Sequence, residues 1–425
     1  MDNLIADVIG DIALVLVLSS IFGAIARRCG QPAVVGQILS GIALGPSILG
    51  RLPGGLTARF FPVQVLPYLG VIAQVAVAIF MFGVGYELTV RSFRDNYRPA
   101  VLVAIGALFV PMLLGAGTVP ALRSSYARLG QSNFSHSFIL FMGVATSITA
   151  LPVLAAIMRE RGISGTVAGA TATMAAGIMD VIAWTVFAAA LVGTAAKAGR
   201  PWPVTLLLVS LFALVMLLAV RRVLGWWIRR PGSVLANQVP AALALTLASA
   251  WVTASLGLHP VFGGLLAGFA MPRKDGNPDP DVLRAMDSAS SLLLPLFFVV
   301  TGLSVNLGAL GGAAVLLILV LTAIACLGKI VPGYIGSRLG GHDRKDSATM
   351  GALVNTRGLT ELIALNIGLD AGLISGRLFT VLVSMAVLTT LMTAPMLSLI
   401  RPRTALSSPG QPEPSEPRTV PGEGR

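Results

Sequence analysis

The chain has 425 residues, 55% of them hydrophobic and only 11% charged, with a mean hydropathy of +0.84. That composition exceeds what water-soluble domains bury and fits a bundle of membrane spans. The net charge of +12 would suggest nucleic acid in a soluble protein. Here the basic residues lie in short connections between apolar runs, so the expected partner is the lipid bilayer and not nucleic acid.

Apolar runs separated by charged or Gly/Pro-rich breaks predict thirteen spans, at 4–26, 33–49, 64–86, 99–121, 136–158, 165–193, 203–220, 236–256, 259–271, 288–305, 308–335, 347–369 and 378–400. The second is bent at Gly45-Pro46, and the short ninth opens at His259-Pro260. The first is too long, and too poorly led by basic residues, for a signal peptide. An odd number of spans puts the termini on opposite sides. With the N-terminus outside, the internal loops and tail hold 21 Lys/Arg and the external loops 7. This bias predicts a multi-pass cell-membrane protein with an outside N-terminus and a cytoplasmic C-terminus. The segment 403–425, rich in Pro, Ser and Gly, reads as a disordered cytoplasmic tail.

No phosphate loop and no dinucleotide-binding strand–turn–helix occurs, so no cofactor is expected. Cys29 and Cys326 show no metal-ligand or disulfide spacing. The histidines His136, His259 and His342 lie at span ends or in a loop without clustering, and read as helix caps or solvated groups.

Few carboxylates lie within spans. Asp7 and Asp11 are in the first turns of span 1 and read as solvated. The 29-residue stretch 165–193 carries a single charge, Asp180, near its middle. A carboxylate at that depth costs at least about 2.5–3.5 kcal/mol, so it is expected to face a polar pathway. Lys329 lies late in span 11 and reads as a buried ammonium answering Asp180, with snorkelling to the surface as the alternative. Arg357 and Glu361 are four residues apart in span 12 and can pair on one helix face, either as a structural pair that neutralises itself or as part of an ion pathway.

Two spans read as broken. Span 5 carries Thr146-Ser147-Ile148-Thr149-Ala150-Leu151-Pro152 at its midpoint, where Pro152 removes a donor and disfavours helix before it. Span 12 carries Asn355-Thr356-Arg357-Gly358 at its midpoint. If span 7 is a linker, the chain divides as six, one and six, and the broken spans are fifth in each half. An odd linker inverts the second half. The expected fold is therefore all-α integral membrane, with inverted repeats and two broken crossing helices at the midplane.

At these residues the chain resembles the monovalent cation:proton antiporter family, most like the branch of plant cation/proton exchangers and, more distantly, the transporter part of potassium-efflux systems. The segments that carry the resemblance include ATSITALPVLAAIMRERG (145–162), AAGIMDVIAWTVFAAAL (175–191), LLLPLFFVVTGLSVNLGAL (292–310) and GALVNTRGLTELIALNIGLD (351–370). The resemblance covers about 4–402 and implies one exchanger-like transmembrane domain over 1–402. In it, a core at about 98–193 and 308–400 moves against a dimerisation domain, giving a homodimer. It also implies that Asp180 is the ion- and proton-binding residue, with Thr149 and Ser147 beside it, and that Lys329 is the core lysine. One position departs from the family pattern. Met179 stands where Asp or Asn usually precedes the aspartate, and a thioether is a poor ligand for Na⁺ or K⁺.

These readings predict a secondary antiporter, not an enzyme. A monovalent cation (Na⁺ or K⁺) and a proton would compete at Asp180, and a single acid implies electroneutral exchange. The rivals on the same scaffold are a sodium-coupled solute symporter and a gated potassium-efflux pathway. Intramembrane aspartyl proteolysis needs a second mid-membrane aspartate, which the sequence lacks. A sensor that does not transport is argued only by Met179.

Overall fold

A computed structural model describes residues 2–53, 56–87, 97–150, 153–154, 157–158, 161–163, 166–192, 202–228, 230, 238–256, 259–274 and 276–400. Pro152, the tail 403–425 and the connections at 88–96, 193–201 and 231–237 lie outside the described residues.

The described residues form helices at all thirteen expected positions. The first six spans are α1 (Asp2–Arg28), α2 (Ala33–Leu44), α3 (Leu66–Glu87), α4 (Tyr97–Ala121), α5 (His136–Ser147 as its first half) and α6 (Val167–Val192). The linker α7 runs Trp202–Val215, passes through a π turn at Met216–Val220, and ends as Arg221–Ile228. Then follow α8 (Gln238–Ser255), α9 (Pro260–Ala270), α10 (Pro280–Leu303) and α11 (Gly312–Leu339). The interrupted α12 (Arg344–Val354 and Leu359–Asp370) and α13 (Gly376–Ile400) complete the bundle. Ten helices are long and apolar enough to cross a bilayer by themselves among the described residues, and His136–Ser147 and Pro260–Ala270 are shorter apolar ones.

Local chemistry explains several ends. α2 stops at Gly45, before Pro46. At α9 the His259 Nδ1 accepts from the Val261 N–H (3.4 Å) and Pro260 takes the first position, where a missing donor costs nothing. α10 starts eight residues earlier than its apolar run, because Asp279 caps it by accepting from the Asp281 N–H (2.9 Å). Asp281, Arg284 and Asp287 then occupy its first turns. Charged residues past the hydrocarbon carry no apolar signal, and α7 outruns its expected end at 220 for the same reason. Asp7 is exposed as expected. Asp11 is not solvated: it is only 7% exposed, and its Oδ2 has no hydrogen-bond partner.

The helix contacts repeat between the halves. α1 packs on α2 as α8 packs on α9; α2 on α10 as α9 on α3; α4 on α5 as α11 on α12; and α4 on α6 as α11 on α13. The contacts α3–α10 and α4–α11 join corresponding positions crosswise. In the latter, a Cβ added to Gly106 would lie 3.0 Å from Pro332 Cβ, and one added to Gly328 would lie 3.0 Å from Pro111 Cβ. Each half thus offers one glycine notch and one proline ridge, and the two interlock reciprocally. Small residues at such contacts let membrane helices approach closely, where dispersion rather than the hydrophobic effect holds them. The folded chain is an inverted-repeat bundle crossed by two broken helices.

Candidate functional site

Both breaks lie among α4, α6, α11 and α13. α5 ends at Ser147, and Ile148 takes an extended ψ of 140°. Helical geometry returns at Val153–Leu154. In α12 the helix ends at Val354, and Gly358 has φ 151° and ψ −122° before Leu359 restarts it. That backbone conformation belongs almost only to glycine.

The two breaks bond to each other. The Ala150 N–H donates to the Thr356 carbonyl (3.0 Å), and Thr149 Oγ1 donates to the Val354 carbonyl (3.2 Å). Thr360 Oγ1 donates to the Thr149 carbonyl at a longer 3.4 Å. Backbone groups freed by a break are costly in hydrocarbon, and here each break supplies partners for the other.

Two buried cations complete the crossing. Arg357 Nη1 donates to the Ala145 carbonyl (2.8 Å) and to Glu361 Oε1 (2.7 Å), while Nη2 donates to the Thr146 carbonyl. The guanidinium thus sits at the C-terminal end of the first half of α5, where the helix dipole favours positive charge. Arg357 and Glu361 form the expected i,i+4 pair, with both side chains fully buried. Lys329 Nζ donates to the Ile148 carbonyl (2.7 Å) and to Thr149 Oγ1, with a longer approach to the Val354 carbonyl (3.4 Å). It is buried, not snorkelling.

Asp180 is 1% exposed on α6, which packs against both α5 and α12. Neither of its carboxylate oxygens has a hydrogen-bond partner. It lies within electrostatic reach of Lys329. Among the described residues, the two form no salt bridge. Lys329 spends its protons on the break, so it answers Asp180 through space and not by contact. Ser147 Oγ donates back to the Val144 carbonyl (3.1 Å), and Asn355 Nδ2 reaches the Thr389 carbonyl (3.4 Å). Thr356 Oγ1 is buried without a partner. Met179 is fully buried and adds no oxygen beside Asp180.

Sequence reading passed over Thr390 and did not show what Thr146 bonds to. Thr390 Oγ1 donates to the Arg357 carbonyl (3.0 Å) as well as to its own helix at Ala386 (2.7 Å). Thr146 Oγ1 ties α5 to the Pro111 carbonyl of α4 (2.9 Å). Membrane-helix threonines routinely bond their own i−4 carbonyl, so residue type alone does not mark those that also bridge.

The donor set is all hard oxygen (a carboxylate, hydroxyls and carbonyls), which fits a monovalent cation better than a soft metal. Among the described residues no cluster of three or more His, Cys, Asp or Glu could hold a metal ion. A family profile described as the transmembrane sodium/hydrogen exchanger matches residues 14–399. The chain is 33% identical over 411 residues to the Na(+)/H(+) antiporter NhaS4 of Synechocystis, covering 95% of this chain and 99% of that one. It is 36% identical over 405 residues to cation/H(+) antiporter 17 of Arabidopsis thaliana, covering 93% of this chain but only 48% of the plant protein. Its fold aligns with that of the sodium proton antiporter MjNhaP1 from Methanocaldococcus jannaschii at a TM-score of 0.65 and 15% identity, over 93% of this chain and 97% of the other. The chain is a multi-pass membrane protein that belongs to the transmembrane sodium/hydrogen exchanger family.

Proposed function

We propose that the protein is a secondary antiporter that exchanges a monovalent cation, Na⁺ or K⁺, for protons, with both ions competing for the Asp180 carboxylate. The observation that carries this reading is the bare carboxylate: both oxygens are buried, and neither accepts a hydrogen bond. An ionised carboxylate in that state is unstable alone. It is relieved either by a proton or by a cation, and it cannot hold both. That exclusivity couples the two fluxes. Each occupant carries one positive charge, so exchange is one-for-one and electroneutral.

Met179 puts the burden of cation coordination on the break. Thr356 Oγ1 and Asn355 Oδ1 are the unpartnered oxygens that the break in α12 offers among the described residues. Thr149 and Ser147 contribute as carriers of the facing hydroxyls and carbonyls, and Lys329 holds their backbone in place. The core at about 98–193 and 308–400 moves as a unit, because its two breaks are hydrogen-bonded to each other. The remaining helices form the static body and the homodimer contact. The protein sits in the cell membrane with its N-terminus outside and its tail in the cytoplasm, as the distribution of 21 against 7 basic residues favours.

The test is reconstitution into proteoliposomes with Li⁺, Na⁺, K⁺ and Rb⁺ offered in turn against a proton gradient. Asp180→Asn is expected to abolish cation-dependent proton flux. Flux retained in that variant would refute the role of Asp180, and exchange driven by voltage alone would refute electroneutrality.

A further inference from the structure

A cavity of about 810 Å³ lies at the end of α7, away from the crossing. Its wall includes Arg221, Arg222, Arg273 and Lys274, with Gln238 and Gly225 between them. No carboxylate lines it among the described residues. Asp279 is engaged behind it, by the Gln238 amide (3.2 Å) and the Asp281 N–H (2.9 Å).

Neutral groups help to hold Arg273 in this wall. Arg273 Nη2 donates to the Gly85 and Tyr86 carbonyls (3.2 Å each) and Nη1 to the Phe269 carbonyl (3.4 Å), and its guanidinium lies 5.5 Å from the Tyr86 ring. Tyr86 is itself fixed, donating to the Pro272 carbonyl (3.0 Å) and accepting from the Asp279 N–H (2.9 Å). Arg221 is close enough to Arg273 for the two to repel each other. The π turn at Met216–Val220 ends immediately before Arg221 and rotates the following residues relative to those before it. Arg222 is steadied by the Leu218 carbonyl (3.1 Å). Like charges gathered in this way are relieved by an anion placed between them.

The same corner has an apolar side. Leu217 and Leu218 line the cavity and are 39% and 45% exposed. More than two turns further on, Trp226 and Trp227 are 52% and 47% exposed, and Arg230 stacks on Trp226 at 3.4 Å. Tryptophans at a span end mark the depth of lipid headgroups. We propose that this cavity binds the phosphate headgroup of an anionic phospholipid, with its acyl chains lying along Leu217, Leu218 and the exposed face of α7. A free phosphate could use the four cations but not the apolar wall. The site belongs to the helices outside the crossing, so the lipid fastens the static body to the membrane and takes no part in ion selection.

The experiment uses the purified full chain in detergent. Phosphatidylglycerol, phosphatidylcholine or inorganic phosphate is titrated, with the thermal midpoint and lipid retention in native mass spectrometry as readouts. Phosphatidylglycerol is expected to bind and raise the midpoint, and the other two to leave it unchanged. The pair Arg221→Gln/Lys274→Gln should weaken phosphatidylglycerol binding about tenfold or more. The charge-keeping pair Arg221→Lys/Lys274→Arg should retain it, as should Arg128→Gln/Arg377→Gln elsewhere on the surface. Equal stabilisation by inorganic phosphate would overturn the lipid assignment. Undiminished lipid binding in the Gln pair, or equal loss in the charge-keeping pair, would overturn the site. Transport is not among the readouts, so the outcome is separate from the fate of the antiport reading.

Discussion

The Lys329 ammonium bonds to the Ile148 carbonyl at 2.7 Å, in the broken helix of the opposite repeat. This makes Lys329 a structural tie across the crossing, while its charge acts on Asp180 at longer range. Replacing it with methionine keeps the stem's bulk but strips donors from buried carbonyls, each of which costs about 1–3 kcal/mol when orphaned. Lys329→Met is therefore expected to lower the thermal midpoint in detergent by an amount that persists in the Asp180→Asn background. A double-mutant cycle checks this. If neutralising Asp180 cancelled the loss, the lysine's chief partner would be the carboxylate and not the break.

Arg357 should be less tolerant still. It joins α12 to α5 through the Ala145 and Thr146 carbonyls while pairing with Glu361. Removing one partner of a fully buried pair costs about 3–5 kcal/mol. Arg357→Gln is expected to fold poorly, and Arg357→Lys to recover part of the yield, since a lysine supplies charge but not the planar fork. Monodispersity and thermal midpoint by size-exclusion and scanning fluorimetry decide between these outcomes.

Gly358 carries a conformational demand that no other residue meets at low cost. Its φ of 151° falls where L side chains are strained, and an added Cβ would approach Val153 Cγ2 at 2.7 Å. Gly358→Ala is expected to destabilise by about 1–3 kcal/mol from the backbone alone. Gly311→Ala, where a Cβ meets nothing within 4 Å, serves as the neutral comparison. Equal midpoints for the two variants would contradict this account.

The reciprocal glycine–proline contacts allow a comparison between repeats. Gly106→Ala and Gly328→Ala each press a methyl onto the opposing proline from 3.0 Å. The two are expected to lower stability by similar amounts, and the double variant by less than their sum, because both methyls force apart the same pair of helices, α4 and α11. Thermal midpoints of the three proteins provide the check.

Much of this architecture is visible in the residues. Apolar runs must be long to cross a bilayer, so the thirteen positions stand out, and an aspartate inside one of them is conspicuous. The breaks show as Thr146–Leu151 and Asn355–Gly358 because hydroxyls, amides and glycine interrupt otherwise aliphatic text. The direction in which Lys329 points is not visible. Charge complementarity suggests Asp180, whereas the lysine's protons go to carbonyls that exist only once two helices cross. The bridging of Thr390 and the burial of Asp11 are hidden for a similar reason, since both depend on which neighbour a helix face meets. The charged first turns of α10 are missed because hydropathy goes silent where the bilayer ends.

The bonds that knit the two breaks together join residues 205 to 212 positions apart in the chain. During synthesis, the first six spans therefore leave the ribosome long before the carbonyls near Ser147 can meet Arg357. Until α11 and α12 arrive, Asp180 has neither the lysine nor the opposing break beside it. The surroundings of the Asp180 carboxylate are therefore completed only by the last spans to be made.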